Sequence, residues 1–282
     1  MNFPPSLQPI DYLILGHLTR DLTPTGPRLG GTASYAALTA KALGLRVGIV
    51  TSWGEEVPLN GLQDIPIVNY PTEASSTFEN IYTPKGRIQI IHEIAPKLDY
   101  HMVPEVWRSA EIVHFGPVAQ EVEPSLARRF PSALIGVTPQ GWMRRWDAAG
   151  HVSAAEWPDS DFVLQNVSAC VLSIEDIEGN EARVEDMAAS SRVLVVTEGR
   201  LGSRVYWRGD VRRFTPPTVT EVDATGAGDI FATAFFTRLY LTRDPWEAAR
   251  FATQLAANSV TRVGIEGVPT PEEVKASLIE VF

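Results

Sequence analysis

The chain has 282 residues, 44% hydrophobic and 21% charged, with a formal net charge of −10. This is an ordinary globular composition, with enough length for a large core in one big domain or two modest ones. The acidic balance argues against a general nucleic-acid or anionic-membrane surface, and a single cysteine, Cys170, excludes an internal disulfide or a cysteine metal cage and favours a reducing, cytoplasmic setting.

The opening stretch, residues 1–18, lacks a basic region, and its short apolar run is broken by Asp11. It reads as a first strand and not as a signal peptide, and no apolar run approaches membrane-spanning length. Nearly continuous apolar segments at 11–16, 46–51, 111–116, 133–138 and 192–199 predict buried parallel strands. Helical periodicity lies between them at 32–43, stopped by Gly44, at 123–130 and at 180–191. The last third reads as helical at 226–241, from Pro245 through Val263, and from Pro271 to the end; both prolines suit a first helical turn. Such alternation implies right-handed crossovers and a three-layer α/β/α architecture. Residues 72–98 break the rhythm. Two alternating segments there, around Thr83–Gly86, predict a β-hairpin with no helix attached. The expectation is one domain over 1–282, with a small discontinuous β lid from about 17–28 and 72–98.

Three stretches place glycine at a predicted helix start or strand end, at 29–38, 196–203 and 223–229. Glycine lets amides approach a ligand, and a helix N-terminus favours an anion there. A P-loop, a dinucleotide fingerprint after the first strand, an HExxH pair and a G-x-S-x-G elbow are all missing from the sequence. In D-A-T-G-A-G-D (223–229), the amides of Gly226, Ala227 and Gly228 would face an anion with the Asp229 carboxylate beside it. That carboxylate would repel a resting phosphate, so it makes chemical sense as the acceptor of a proton from an attacking hydroxyl. The plainer alternative is a first-turn acid that complements the helix dipole.

The segment V-D-A-T-G-A-G-D-I-F-A-T-A-F (222–235) resembles the D-x-T-G-A-G-D signature of the ribokinase-like (PfkB) carbohydrate kinases. L-G-G-T-A-S-Y-A-A-L (29–38) is similar to that family's glycine-pair segment, and V-V-T-E-G-R-L-G-S (195–203) to its nucleotide-side segment. I-L-G-H-L-T-R-D-L (14–22) is similar to its first strand. The likeness runs from about Ile10 to Gly267. It implies ATP as phosphoryl donor, Mg2+, and a polyol acceptor such as a sugar. Position by position, Asp229 matches the base and Gly226, Ala227 and Gly228 the anion hole. Asp21, Gly30 and Gly31 match substrate-side positions, and Thr197, Gly199 and Gly202 flank the nucleotide. In some relatives the positions of Asp223 and Thr225 help hold a monovalent cation such as K+; in this chain they also suit a simple turn cap. Ala256, Asn258 and Val260 are candidates to flank the adenine.

The pattern departs at three places. Tyr35 stands where the family has asparagine, on the substrate side, and with 113–121 and 171–176 it looks more like the inositol-kinase-like branch. Ser173 and Asp176, with Glu175 as an alternative, occupy the N-x-x-E segment that organises Mg2+; Ser173 also suits a helix cap. Thr138 replaces an aspartate near Arg144 and Arg145, a pair that reads either as phosphate contacts or as a solvated face. The resemblance implies a cytoplasmic kinase for a sugar or cyclitol that binds no nucleic acid or membrane, monomeric or dimeric through the lid. Its alternatives are a nucleoside kinase of the same fold and a non-catalytic metabolite-binding regulator.

Overall fold

The structure, a computed structural model, describes residues 7–278 except 55, 57, 58, 60, 84 and 85, and omits the side chains of 82–87. Pro84 and Lys85, expected in the hairpin turn, and residues 279–282, expected to continue the last helix, lie outside the described residues. The strands are β1 (Tyr12–Leu15), β2 (Thr19–Thr23), β3 (Gly26–Gly30), β4 (Val47–Thr51), β5 (Ile67–Asn69), β6 (Thr77–Thr83), β7 (Gly86–Glu93) and β8 (Ile112–Phe115). There follow β9 (Leu134–Val137), β10 (Arg144–Trp146), β11 (Val152–Ala154), β12 (Ala169–Ser173), β13 (Val193–Thr197), β14 (Ser203–Trp207) and β15 (Asp210–Phe214). The α-helices are α1 (Thr32–Ala42), α2 (Ser160–Asn166), α3 (Glu181–Ser190), α4 (Ala227–Thr242), α5 (Pro245–Ser259) and α6 (Pro271–Ser277).

Among the described residues the main sheet has nine strands, in the order β15-β14-β13-β12-β9-β8-β1-β4-β5. It is parallel from β13 to β5 and antiparallel at the β13-β14-β15 edge. Alternation along each strand feeds two cores. Tyr12 and Ile14 join Ile49, Val171 and Val195 beneath α1, α4 and α5, where Ala33, Ala36, Ala37 and Ala40 let α1 approach Phe231 and Phe235 closely. Leu13 and Leu15 point the other way, to Phe115, Val137, Cys170 and Leu194 over α2 and α3. Cys170 is therefore a buried core residue.

Two sequence expectations are corrected by local chemistry. Residues 123–130 form only a short 3-10 helix, Pro124–Arg128, because Pro131 bars helical backbone at Phe130. The helix from Pro245 ends at Ser259 instead of continuing to Val263. The Val260 carbonyl turns aside to accept from the amides of Val222 (2.7 Å) and Asp223 (3.1 Å).

A second sheet, β3-β2-β6-β7, leaves the main layer and combines parallel β2–β6 pairing with two antiparallel hairpins. One buried polar node ties its crossing segments together. Nε2–H of His17 donates to the Pro96 carbonyl (2.9 Å), so Nδ1 accepts from the Ser76 hydroxyl (2.8 Å), whose oxygen accepts from Ala95 N (3.0 Å). The Glu121 carboxylate, 1% exposed, accepts from His17 N, Val118 N and Ala119 N.

Inside the main core, Tyr12 O–H donates to Nδ1 of His114 (2.9 Å), and Nε2–H donates to Thr138 Oγ1 (3.0 Å). Burial lowers the imidazole pKa to about 3. The unfolded chain, with an ordinary value near 6.5, therefore takes up this proton first as pH falls, and stability is lost progressively below that pH. Between pH 7 and pH 5 the wild type should lose about 2 kcal/mol more than His114→Gln, measured by urea unfolding. Equal losses would show that His114 titrates normally.

Candidate active site

A cleft of about 1140 Å³ opens at the carboxyl ends of the parallel strands, between the main sheet and the second sheet. Open α/β sheets bind ligands at this edge, and the volume exceeds what one small ligand needs. It is lined by most of the residues singled out in the sequence: Asp21, Gly31, Tyr35, Glu175, Asp176, Thr197, Gly199, Gly202, Asp223, Thr225 and Gly226–Asp229. Gly30 and Asn258 are not on that lining. Asn258 lies on α5, where its carbonyl oxygen accepts from Gln254 Nε2 (3.3 Å), while Ala256 and Val260 reach the cleft.

At the centre stands the start of α4. Gly226, at φ 79 and ψ −4, is its left-handed cap residue. Ala227 N donates to Ala224 O (3.2 Å), and Ile230 N begins the helical pattern on Gly226 O (2.9 Å). The amides of Gly228 and Asp229 have no main-chain acceptor among the described residues, and no side chain caps them. Ala227 is thus partly committed, while Gly226 N, like the Gly228 and Asp229 amides, has no main-chain acceptor among the described residues. Asp229 is enclosed by protein yet still touched by solvent. Burial pushes its carboxyl up to about 6, against a lowering hydrogen bond from Thr32 and the attraction of Arg144; Asp176 and Asp21 add to the rise.

On one side of Asp229 the second sheet supplies Asp21, fixed by the Thr19 hydroxyl (2.8 Å). Burial raises the Asp21 pKa, while Thr19 and Arg144 oppose the rise. Gly30 serves Asp21 by lacking a side chain: a Cβ at position 30 would lie 2.1 Å from Asp21 Oδ2. The same wall carries Phe78, Asn80 and Gln89, the last two joined by a 3.0 Å amide hydrogen bond. Arg144 donates to the Val118 carbonyl (3.2 Å) and sits over the Phe78 ring. It belongs to the cleft, while Arg145 is exposed and pairs with Ser153. Thr32, Asn80, Gln89 and Gln140 went unread in the sequence. Alternation places Phe78 and Asn80 on one hairpin face, but says nothing of which face is covered.

On the other side an apolar strip joins the lining. Past Thr197 and Gly199 it comprises Pro216, Val219, Val222, Ala256 and Val260, with Arg200, Thr215, Thr218, Glu221 and Thr253 beside them, and Val222 is 59% exposed. Asp176 lies between the two ends. Its carboxylate accepts from Ser173 N (3.0 Å) and Gln140 Nε2 (3.0 Å), and Ser173 Oγ caps Glu175 N (3.2 Å), so the helix-cap reading of this segment holds.

No group of three or more His, Cys, Asp or Glu side chains able to hold a metal occurs among the described residues. Mg2+ at a phosphate site is usually held by one or two carboxylates, with waters and the phosphate oxygens completing the shell. Asp176 and Glu175 both line the cleft. The oxygens of Asp223 accept from Thr225 N (2.9 Å) and Gly264 N (2.9 Å). Burial alone would raise its pKa, but these bonds and Arg28 hold it below the usual value. The carbonyls of 266–268 accept from Arg262. Asp223 thus forms the turn cap that the sequence also allows.

Residues 164–272 match the model of the pfkB family carbohydrate kinases. The chain is 25% identical over 276 residues to a cytidine kinase of Thermococcus kodakarensis, covering 90% of this chain and 98% of that one. It is 31% identical over 153 residues to an inositol 3-kinase of Zea mays, covering 53% and 39% of the two chains. Among solved structures it superposes with a TM-score of 0.80 on a pyrophosphate-dependent myo-inositol-1 kinase converted into a myo-inositol-3 kinase, at 16% identity and over 95% and 99% of the two chains. The fold is ribokinase-like, and no helix among the described residues is long and apolar enough to cross a membrane.

Proposed function

We propose that this chain is a PfkB-type, ribokinase-like phosphotransferase with an alcohol acceptor, moving the γ-phosphate of ATP to a hydroxyl of a sugar or cyclitol with Asp229 as general base. One observation carries the reading: a carboxyl raised to about 6 stands beside two uncommitted amides at the start of α4, across the cleft from Asp21. The acceptor hydroxyl attacks the γ-phosphorus, its proton passes to Asp229, and the bond to the β-phosphate oxygen breaks to leave ADP. The Gly228 and Asp229 amides, with the dipole of α4, stabilise charge on the phosphoryl oxygens. Asp21, Asn80 and Gln89 hold the acceptor's other hydroxyls. Mg2+ bound to the donor supplies charge neutralisation, and Asp176 and Glu175 are the residues that would hold it.

The apolar strip of the cleft favours ATP over pyrophosphate, which has no apolar face to place against Val219, Val222 and Ala256. The polar acceptor wall of Asp21, Asn80 and Gln89 favours a polyol over a nucleoside base. Incubation with ATP or pyrophosphate and a panel of ribose, fructose, myo-inositol and cytidine, followed by 31P NMR, tests both choices. A phosphorylated polyol is expected with ATP. Product from pyrophosphate alone would overturn the donor, product from cytidine alone the acceptor, and no product from any pair the whole reading.

A further inference from the structure

Tyr35 sits on the first turns of α1 and is only 4% exposed. Its ring lies flat against the backbone of Gly226. A Cβ on that glycine would meet Tyr35 Cδ1 and Cε1 at 2.2 Å and Cγ at 2.7 Å. The phenol end reaches the next turn, where a Cβ on Gly264 would lie 3.8 Å from the hydroxyl. Gly264 N in turn donates to the Asp223 carboxylate, which also accepts from Thr225 N. The residues leading into α4 are therefore held twice, by polar bonds through Asp223 and by an aromatic plate through Tyr35.

Such a support has a physical purpose. A glycine at φ 79 pays the largest backbone entropy of any residue and readily leaves the left-handed region. If Gly226 swings, the Gly228 and Asp229 amides lose their common aim and the carboxyl turns with them. Donors stabilise a developing charge only when fixed beforehand, because reorganisation during reaction consumes the gain. A ring seated on the Gly226 Cα removes the space for that swing. Burial and the neighbouring Asp229, Asp21 and Asp223 also raise the phenol pKa, so the support stays neutral beside an anion site.

We propose that Tyr35 is a positioning residue that clamps the Gly226 turn and so pre-aims the amides at the start of α4, rather than chiefly a wall of the acceptor pocket. The proposal rests on the phosphotransfer reading above. Its test compares Tyr35→Phe, Tyr35→Leu and Tyr35→Asn by steady-state kinetics and by hydrogen–deuterium exchange of peptides spanning 222–232. Tyr35→Phe keeps the plate and should leave exchange across 222–232 as in the wild type. Tyr35→Leu and Tyr35→Asn should lower kcat about tenfold or more, shift the acceptor KM less than about threefold, and speed exchange across 222–232 while leaving the β12 and β13 peptides protected. A raised acceptor KM at unchanged kcat would overturn the proposal, as would wild-type exchange in the leucine variant. Exchange is read without substrate, so absence of turnover in every protein would sink the kinase reading while still deciding the role of Tyr35.

Discussion

Asp229→Asn is expected to lower turnover by about 10²–10⁴-fold, the usual worth of a positioned proton acceptor, and at the same time to make the protein more stable. Both effects come from the same burial. A carboxyl raised from 3.8 to about 6 binds its proton more tightly in the folded state than in the unfolded state. Above pH 6 it is ionised in both, and folding carries the cost of enclosing the charge. Below about pH 4 it is protonated in both, and the cost vanishes. At pH 7.5 the amide should therefore gain about 1–3 kcal/mol, allowing for partial solvent contact, or roughly 2–6 °C in Tm. That gain should shrink as pH falls from 6 to 4. In the wild type, kcat/KM should fall as pH drops through about 6, where the base takes up a proton. Calorimetry and a pH–rate profile check the pair. A variant that turns over as fast as wild type would remove Asp229 from the chemistry, and one less stable at pH 7.5 would show that its ionised form is well satisfied in the fold.

Gly226→Ala should be the other large effect, for a different reason. The new methyl would point into the Tyr35 ring at 2.2 Å, at a backbone angle of φ 79 that other residues enter at a cost of about 1–2 kcal/mol. Relief requires the ring or the turn to move, at about 1–3 kcal/mol more. Since the turn aims the two free amides, turnover should fall about 10²–10³-fold, the scale seen when one such donor is lost. Gly228→Ala is the control. A Cβ there meets nothing within 4 Å, so the fold should be unchanged and any loss of rate would come from crowding the phosphoryl position itself. Equal Tm loss in both variants would argue that the Tyr35–Gly226 contact carries no strain.

Much of this architecture was legible in the sequence because burial on both faces of a parallel strand removes polar residues. The runs at β1, β4, β8, β9 and β13 stand out for that reason. The β14–β15 hairpin did not, since Arg204, Arg208, Arg212 and Arg213 break its apolar pattern. Arg204 is nevertheless buried, held by Glu198 and Glu181 at 2.8 Å each. Strand β12 was hidden among small residues, Ala169 and Cys170, that lie against α4 and α3. In the site, the stretch 223–229 is local in sequence, so its turn and helix start could be read directly. Thr32, Asn80, Gln89 and Gln140 come together only through the crossing of the two sheets, which no spacing along the chain encodes. The same holds for the partnership of Tyr35 with Gly226. The sequence marks both positions as unusual, and the close packing of α1 against α4 joins them.

The empty space at Gly30 has a bearing on how this site can change over generations. Asp21 fills the volume that any side chain at position 30 would claim, so the two positions cannot drift independently. A lineage that shortened residue 21 first would free its neighbour to accept a methyl group. One that acquired the methyl first would force the Asp21 carboxylate from the place it holds. The viable route between these states runs in one direction only, dictated by steric precedence.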